Sequence, residues 1–578
     1  MTGAPAPLEV LAVGVASLAG LVQGDGTVHD PVFGCPTQYG SAYLGWCSAV
    51  LAGPGMPSAA EHRARAERML RAALDHTADP GRPPWASSFD RRTLSVTGRM
   101  NHRDFTWPPI LRTWHALGSP ASLGDQLAVV DVHASFRARP PSNWAAVWLS
   151  GEWLRMRAGL SPTTPEQLDD WIDVFFSEGQ VGFDLDLGMY RERGLPNAYD
   201  LFTRVHFTNL LLDGYAGRHR DRLAEFLTTG LRRSLGMQLS DGSMASGFRS
   251  AGQTWVLGAQ IALFTGSRSL GLGTEQDRES ARLGAWRAFG SLASWQRPGG
   301  LFSPVQHLLA PELRVGYETY TADGHYSPLA LGFLASAIAA GFGDEDPPGA
   351  GELDRRPVHA LAEGSPSHRG AAHRDRVSMA VQGQADDTYD ATGLVDLTFG
   401  SGRMLHFVSA ARHLSGGPWL VPGLGLRDGL GAEPVAVAGA LQHRVVASLT
   451  RPEAAALAFE TTMSGDGGEL WPYRWQGALT RTGVDVVESV PGWTGWRTLL
   501  VPYLRDLGSG ETTEVSFLGS EVRFALGSEW IAFAVRGGVE RRVHLPYGYE
   551  SRRGLCGLVR LDLAEPGDTL RWSVTSSN

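Results

Sequence analysis

Apolar positions along this chain follow one period up to about residue 345 and another beyond it. In the first part they recur at helical spacing, and periodicity with capping signals predicts twelve helices near 8–23, 38–53, 59–77, 108–117, 122–137, 143–158, 165–177, 198–216, 219–237, 251–265, 274–294 and 328–341. Links from odd to even helices are mostly long (24–37, 78–107, 178–197, 238–250, 295–327), whereas links from even to odd helices are mostly short, as at Gly217-Arg218. Six helical hairpins closed into a ring, with every long loop on one rim, produce that alternation, so the expected first domain is an (α/α)6 toroid over 1–342. Residues 343–375, rich in Pro, Gly and charge, read as a linker. From 376 to 578 short alternating runs such as Gly393-Leu394-Val395-Asp396-Leu397-Thr398-Phe399 are broken by glycines, which predicts an antiparallel β-sandwich. The expected class is α+β, multidomain, with helices and strands segregated.

The even helices share a further pattern at their starts. A capping type precedes five of them, namely Thr37, Ser142, Asn197, Ser250 and Ser327. Polar and aromatic groups stand beside these caps. The second helix opens Gln38-Tyr39, and the fourth follows His102-Arg103-Asp104-Phe105-Thr106-Trp107. The sixth opens Asn143-Trp144, the eighth Tyr199-Asp200, the tenth Gln253-Thr254-Trp255, and the twelfth follows Tyr320 and His325-Tyr326. In a toroid the alternate helices form an inner parallel ring, so these ends converge on one face, where helix dipoles and free N–H groups favour an anion. That face is the expected site.

Composition narrows the chemistry. The 578 residues are 43% hydrophobic, and 51 basic residues stand against 60 acidic ones, which excludes global disorder and gives no basic footprint for nucleic acid. Every basic residue is Arg. The absence of Lys removes Schiff-base, pyridoxal-phosphate, P-loop and kinase-type lysine chemistry. Cys35, Cys47 and Cys556 form neither a disulfide framework nor a zinc signature, and no metal or cofactor is expected. The apolar run from Leu8 to Val22 has no Lys or Arg before it and is broken by small residues, so it reads as a core helix rather than a signal or a membrane span. A cytoplasmic protein with no membrane or nucleic-acid partner is the expectation.

A rim of Asn, His, Tyr, Arg and Trp suits an acidic sugar, with aromatic faces against pyranose rings and Arg paired with a carboxylate. The domain order, Asn143-Trp144 and the segment 199–206 resemble the toroid-plus-sandwich polysaccharide lyases of the chondroitin, hyaluronate, heparin and alginate type. A related uronic-acid-active glycosidase family on the same toroid is the other form of that resemblance. The stretch 317–326 departs from the better-known lyases. The resemblance implies β-elimination from an acidic oligo- or polysaccharide. In that chemistry an amide or Arg neutralises the uronate, a Tyr or His takes the C5 proton, and a Tyr protonates the leaving oxygen. By this resemblance Asn143 is the neutraliser and Tyr199 with His206 is the acid/base pair, the two seven residues apart on one helix face. His325 and Tyr326 join them as catalytic candidates. Gln38, Tyr39, His102, Arg103, Asp104 and Trp107 are read as substrate contacts on the first half of the ring, and Trp144, Arg204, Gln253, Trp255 and Tyr320 on the second.

Two other classes stay open at this point. A glycoside hydrolase needs two carboxyl groups about 5–9 Å apart, and Asp104, Asp200, Glu318, Asp323 and the internal Glu152 are candidates. A non-catalytic carbohydrate-binding protein would need only the aromatics. An isoprenoid cyclase, also helical, is disfavoured because Asp184-Leu185-Asp186-Leu187, its nearest acidic motif, falls in a loop.

Overall fold

The structure is a computed structural model that describes residues 5–78, 84–100, 103–130, 140–177, 179–192, 195–363, 368–383, 389, 391–400, 407–408, 421–438, 445–451, 455–465 and 467–577. It divides into two compact units. The first comprises 1–235, 253–304 and 311–348; the second comprises 236–252, 305–310 and 349–578, so two loops of the helical region are counted with the strands.

Among the described residues, twelve helices make up the helical region: α1 Pro7–Ala19, α2 Gly40–Leu51, α3 Ala59–Ala78, α4 Arg103–Ala116, α5 Ala121–Val129, α6 Asn143–Arg157, α7 Pro165–Phe175, α8 Asn197–Leu212, α9 Arg220–Met237, α10 Thr254–Ser269, α11 Glu275–Ser294 and α12 Asp323–Ala339. The even helices pack each on the next, and α12 returns to α2, which closes an inner ring. Their sequences explain why they stand inside. Every residue of α10 from Thr254 to Ser267 is buried, and α2 and α12 are buried nearly throughout. The odd helices α3, α9 and α11 keep a charged face for water. The arrangement is the expected (α/α)6 toroid.

Three links from odd to even helices share one tight turn. After α1, Gln23 N–H donates to Thr27 O (2.8 Å); after α9, Leu239 N–H donates to Ser243 O (2.7 Å); after α11, Arg297 N–H donates to Leu301 O (2.9 Å). The fourth residue of each turn is a glycine at positive φ, with Gly26 at 88°, Gly242 at 84° and Gly300 at 94°. The link after α3 holds the hairpin β1 Ala86–Asp90 with β2 Ser95–Arg99, and the link after α7 holds β3 Gly182–Asp184 with β4 Met189–Arg191.

Two helices start earlier than the sequence predicts, and the reason is proline. The pattern places the opening of α4 at Pro108, yet the helix begins at Arg103; α12 begins at Asp323, five residues before Pro328. A proline inside a helix removes the N–H that would bond the carbonyl four residues back. Two of the carbonyls so released, Phe105 O by Pro109 and Gly324 O by Pro328, accept Tyr43 Oη–H (2.9 Å) and Thr37 Oγ1–H (2.7 Å). Thr37 is therefore not a cap. Of the five expected caps only Ser142 acts as one, accepting Ala145 N–H at 3.0 Å. Ser327 donates to Phe302 O, Asn197 accepts from Arg233, and Ser250 lies in a turn at φ 63°.

The strand unit contains three antiparallel sheets among its described residues. The first runs in chain order through β5 His359–Ala362, β6 Arg369–Arg374, β7 Val377–Gln382, β8 Gly393–Phe399 and β9 Phe407–Val408. The second is ordered β11 Pro434–Val437, β10 Gly423–Arg427, β16 Trp496–Asp506, β21 Gly554–Leu563 and β20 Val539–Ser551. The third has eight strands. It passes from β12 Val445–Arg451 through β13 Ala456–Ser464, β14 Leu470–Leu479 and β15 Gly483–Ser489 to the C-terminal β22 Thr569–Ser576, then to β19 Glu529–Val535, β18 Glu521–Leu526 and β17 Glu514–Leu518. The stretch expected to be a linker supplies β5, β6 and a short helix, α13 Ala350–Asp354. In the eight-stranded sheet Phe459 of β13 lies opposite Trp475 of β14, and Phe533 of β19 stacks on Trp572 of β22. No helix among the described residues is long and apolar enough to cross a membrane.

Candidate active site

Each even helix contributes an aromatic ring near its N-terminus. Tyr39, before α2, stacks on Phe105 of α4 with centroids 5.4 Å apart, and Phe105 stacks on Phe202 of α8 at 5.3 Å. Phe202 meets Trp255 of α10 edge-on at 5.5 Å, Trp255 meets Tyr326 of α12 at 6.3 Å, and Tyr326 returns to Tyr39 at 6.3 Å. Trp144 of α6 stands perpendicular to Phe105 at 5.5 Å, and Tyr320 meets Tyr326 at 6.0 Å. The closed circuit joins the N-terminal ends of five even helices, and Trp144 attaches the sixth, α6, to Phe105. Phe105 and Phe202, which link it, are not among the sequence candidates; no polar atom marks them.

Around the circuit lie buried polar atoms with no hydrogen-bond partner among the described residues: Gln38 Oε1, Asn143 Oδ1, Gln253 Nε2 and Trp255 Nε1. The other end of Gln253 accepts from Thr321 Oγ1 at 3.3 Å, and Gln38 Nε2 lies 3.4 Å from His325 Nε2. The His325 ring meets Tyr39 edge-on at 4.0 Å. Unpaired donors and acceptors are expensive to bury and mark places that a polar ligand completes.

Asn143 begins α6, but capping is left to Ser142, so its amide is available for other contacts. Its Nδ2 donates to Glu192 Oε2 at 2.7 Å, and the Tyr190 hydroxyl donates to the same oxygen at 3.3 Å. Burial first, then Glu192, pushes the Tyr190 phenol well above its ordinary range, which keeps it a donor. Tyr190 and Glu192 come from hairpin β3–β4 and its exit, and that hairpin is pinned to the first turn of α8. Asp200 Oδ1 accepts Tyr190 N–H at 2.7 Å, while the Asp200 carboxylate is gripped by Arg204 (2.9 and 2.7 Å) and by Arg233 (2.9 Å). Close packing fixes the far side, since a Cβ on Gly188 would collide with the backbone nitrogen of Gly230. Tyr199 sits in the same first turn of α8, half-buried.

Beneath the His325 side, a buried charged cluster holds the loop before α12. Arg297 pairs with Asp323, and the Tyr317 hydroxyl accepts from Arg297 (2.9 Å) and donates to Asp323 (3.0 Å). Asp30 accepts Gly324 N–H at 2.8 Å and so caps α12 from a distant loop. Burial, reinforced by Asp323, pushes its carboxyl above the usual range.

Several expected contacts lie elsewhere. Arg204 is fully buried, with Nε on Asp200 and Nη2 on Asp200 and Ser234, so it serves to hold Asp200. Trp107 is fully buried, stacked on Trp148 at 5.0 Å with its indole N–H donated to Glu152 (3.0 Å); both Trp107 and Glu152 belong to the core. His206 lies between Phe202 and Phe333 with neither ring nitrogen bonded, and burial pushes its pKa down to about 3. A ring so weakly basic is a poor acceptor for a C5 proton, and it does not pair with Tyr199. His102 lies outside the described residues, as do the side chains of Arg103 and Asp104. Sequence reasoning misses Tyr190 and Glu192, because the link 178–197 reads as loop; the turn residue Gly188 followed by Met189-Tyr190-Arg191 is the available signal.

No protein-family model matches the chain, and no curated protein matches it in sequence. Solved structures do match. A point mutant of a chondroitin AC lyase from Streptomyces coelicolor A3 aligns with TM-score 0.54 at 12% identity over 100% of this chain and 80% of that one. The same lyase in complex with chondroitin sulphate aligns with TM-score 0.52 at 13% identity over the same shares. A Paenibacillus xanthan lyase aligns with TM-score 0.50 at 10% identity, over 98% of this chain and 57% of its own. At such identities the likeness is one of architecture. The chain has the fold of the toroid-plus-sandwich polysaccharide lyases.

Proposed function

We propose that this protein is a carbohydrate-active enzyme that cleaves uronic-acid-containing oligo- or polysaccharides by β-elimination at the mouth of the toroid. The observation that carries this reading is the closed aromatic circuit with unpaired amide and indole atoms beside it, groups of the kind suited to sugar rings and their polar substituents. The chondroitin sulphate held by one of the structural neighbours adds fold-level analogy for an acidic polymer.

In the proposed reaction the uronate carboxyl docks against Asn143 and its charge is neutralised there. Tyr199 takes the proton from C5, the bond from C4 to the glycosidic oxygen breaks, and a C4–C5 double bond remains. A phenol returns a proton to the departing oxygen, with His325 and Tyr326 at the opposite side of the circuit. Gln38, Tyr39, Trp144, Gln253, Trp255 and Tyr320 are assigned to substrate contact.

Of the five carboxylates a hydrolase could use, four are already engaged, which supports elimination, and the side chain of the fifth, Asp104, lies outside the described residues. Asp200 and Asp323 are each held by Arg, Glu152 is in the core, and Glu318 accepts the Tyr320 hydroxyl. A hydrolase needs an acid and a base that are both free to act on substrate. The test is to incubate the protein with uronic-acid oligosaccharides and follow ultraviolet absorbance of the double bond conjugated to the carboxylate. New reducing ends with that absorbance are expected; new reducing ends without it would make the enzyme a hydrolase.

A further inference from the structure

The proposed chemistry gives Glu192 no task, yet it sits at the centre of the best-defined hydrogen-bond network in the mouth. Its Oε2 receives both Asn143 Nδ2–H (2.7 Å) and the Tyr190 hydroxyl (3.3 Å). A carboxylate oxygen accepts and cannot face another acceptor, so the Asn143 amide can stand only one way round, with its nitrogen toward Glu192. The Oδ1 atom is thereby turned away from Glu192. It is buried with no hydrogen-bond partner among the described residues, on a side chain whose residue is only 6% exposed. The lock itself is rigid, because the hairpin carrying Glu192 is tied to Asp200 through Tyr190 N–H and Asp200 is tied to two arginines. The neighbouring Arg191 is paired with Asp184 at 3.7 Å.

We infer that Glu192 is a positioning residue that fixes the Asn143 amide so that Oδ1 is the atom offered to the ligand, and that the ligand group meeting it is therefore an O–H donor. This rests on the mouth being a saccharide site. An O–H can come from a pyranose hydroxyl or from the uronic carboxyl in its acid form. In the acid form the second Asn143 N–H completes a paired amide–acid contact, and loss of the C5 proton then leaves a monoanion where the ionised uronate would leave a dianion.

Wild type, Glu192→Gln and Glu192→Ala are compared for turnover, for calorimetric binding of an acidic disaccharide, and for thermal midpoint. Glu192→Ala frees the amide to rotate, so kcat falls by about 10- to 100-fold, in line with misplacement of a catalytic contact, and binding of the disaccharide weakens. Glu192→Gln keeps an acceptor for Nδ2 and recovers most of that loss. Binding run in two buffers of different ionisation heat identifies the donor: uptake of a proton marks the acid form, and no uptake marks a hydroxyl. A Glu192→Ala protein with wild-type kcat overturns the inference, as does a loss accompanied by a matching drop in thermal midpoint and not recovered by Gln. If wild type binds the disaccharide without cleaving it, the elimination reading fails while the inference is still decided by binding, which Glu192→Ala must weaken.

Discussion

At the scale of single residues, function and stability are separated by which neighbour holds each side chain. Ser142 caps α6 and leaves Asn143 to the mouth, so the two substitutions should behave differently. Ser142→Ala should cost about 1 kcal/mol of stability with turnover largely kept. Asn143→Ala should depress turnover far more than the thermal midpoint; the reverse pattern would make Asn143 a structural residue. Tyr199→Phe should lower turnover by about 10²–10⁴ with the fold intact, as for loss of a positioned proton carrier, and a near-normal rate in that variant would remove Tyr199 from the mechanism. Asn143, Trp144 and Tyr199 became candidates because they follow a capping type, Ser142 or Asn197, and His325 because it precedes Ser327. Burial was not legible. Trp107 and Arg204 look like binding residues by type, but the partners that hold them, Glu152 for Trp107 and Asp200 with Ser234 for Arg204, are set by packing that no local pattern records. Glu192 was hidden for the converse reason: its meaning lies in an amide 49 residues away.

At the scale of elements, periodicity and loop alternation were enough to find the helices, and proline was the main source of error at their starts. A proline is a good opening residue only where its missing N–H costs nothing. In α4 and α12 the deficit is made good by side chains from α2 and the turn before it, which only the closed ring brings near. Tyr43→Phe should therefore lose about 1–3 kcal/mol, the cost of leaving the Phe105 carbonyl without its donor, and chemical denaturation should show it. In the strand unit, Glu488 of β15 is buried among donors, the Tyr473 hydroxyl, Leu424 N–H and the Trp572 indole. Burial pushes its carboxyl up to about 6, from an ordinary 4.5, despite the opposing hydrogen bonds from Tyr473, Leu424 and Trp572. The folded state then holds the proton more tightly than the unfolded chain. Its stabilising contribution, about 2 kcal/mol, is present in full at low pH and is lost as pH rises through about 6. Denaturation of wild type and Glu488→Gln at several pH values should show the difference moving against wild type across that window. An unchanged difference would mean that Glu488 does not titrate there.

At the scale of the whole molecule, the alternation of long and short links already implied six hairpins in a ring, and the closed set of even-helix contacts is that ring. The division at the end of the last helix was less visible in the sequence. Residues 236–252 and 305–310 are counted with the strand unit, and the Pro- and Gly-rich stretch after 343 contains two strands. Polarity and glycine content signalled a linker, but in a sheet they also mark hairpin turns. The ring gathers six helix starts, each with an aromatic residue, and the proposed function places the substrate there. The most direct measurement of that claim is a crystal structure with a bound uronic-acid disaccharide and the Tyr199→Phe substitution to slow turnover. The sugar should lie against Trp144, Tyr39 and Tyr326, with its carboxyl at Asn143 and C5 facing residue 199. A disaccharide held elsewhere, with the even-helix mouth empty, would contradict the account.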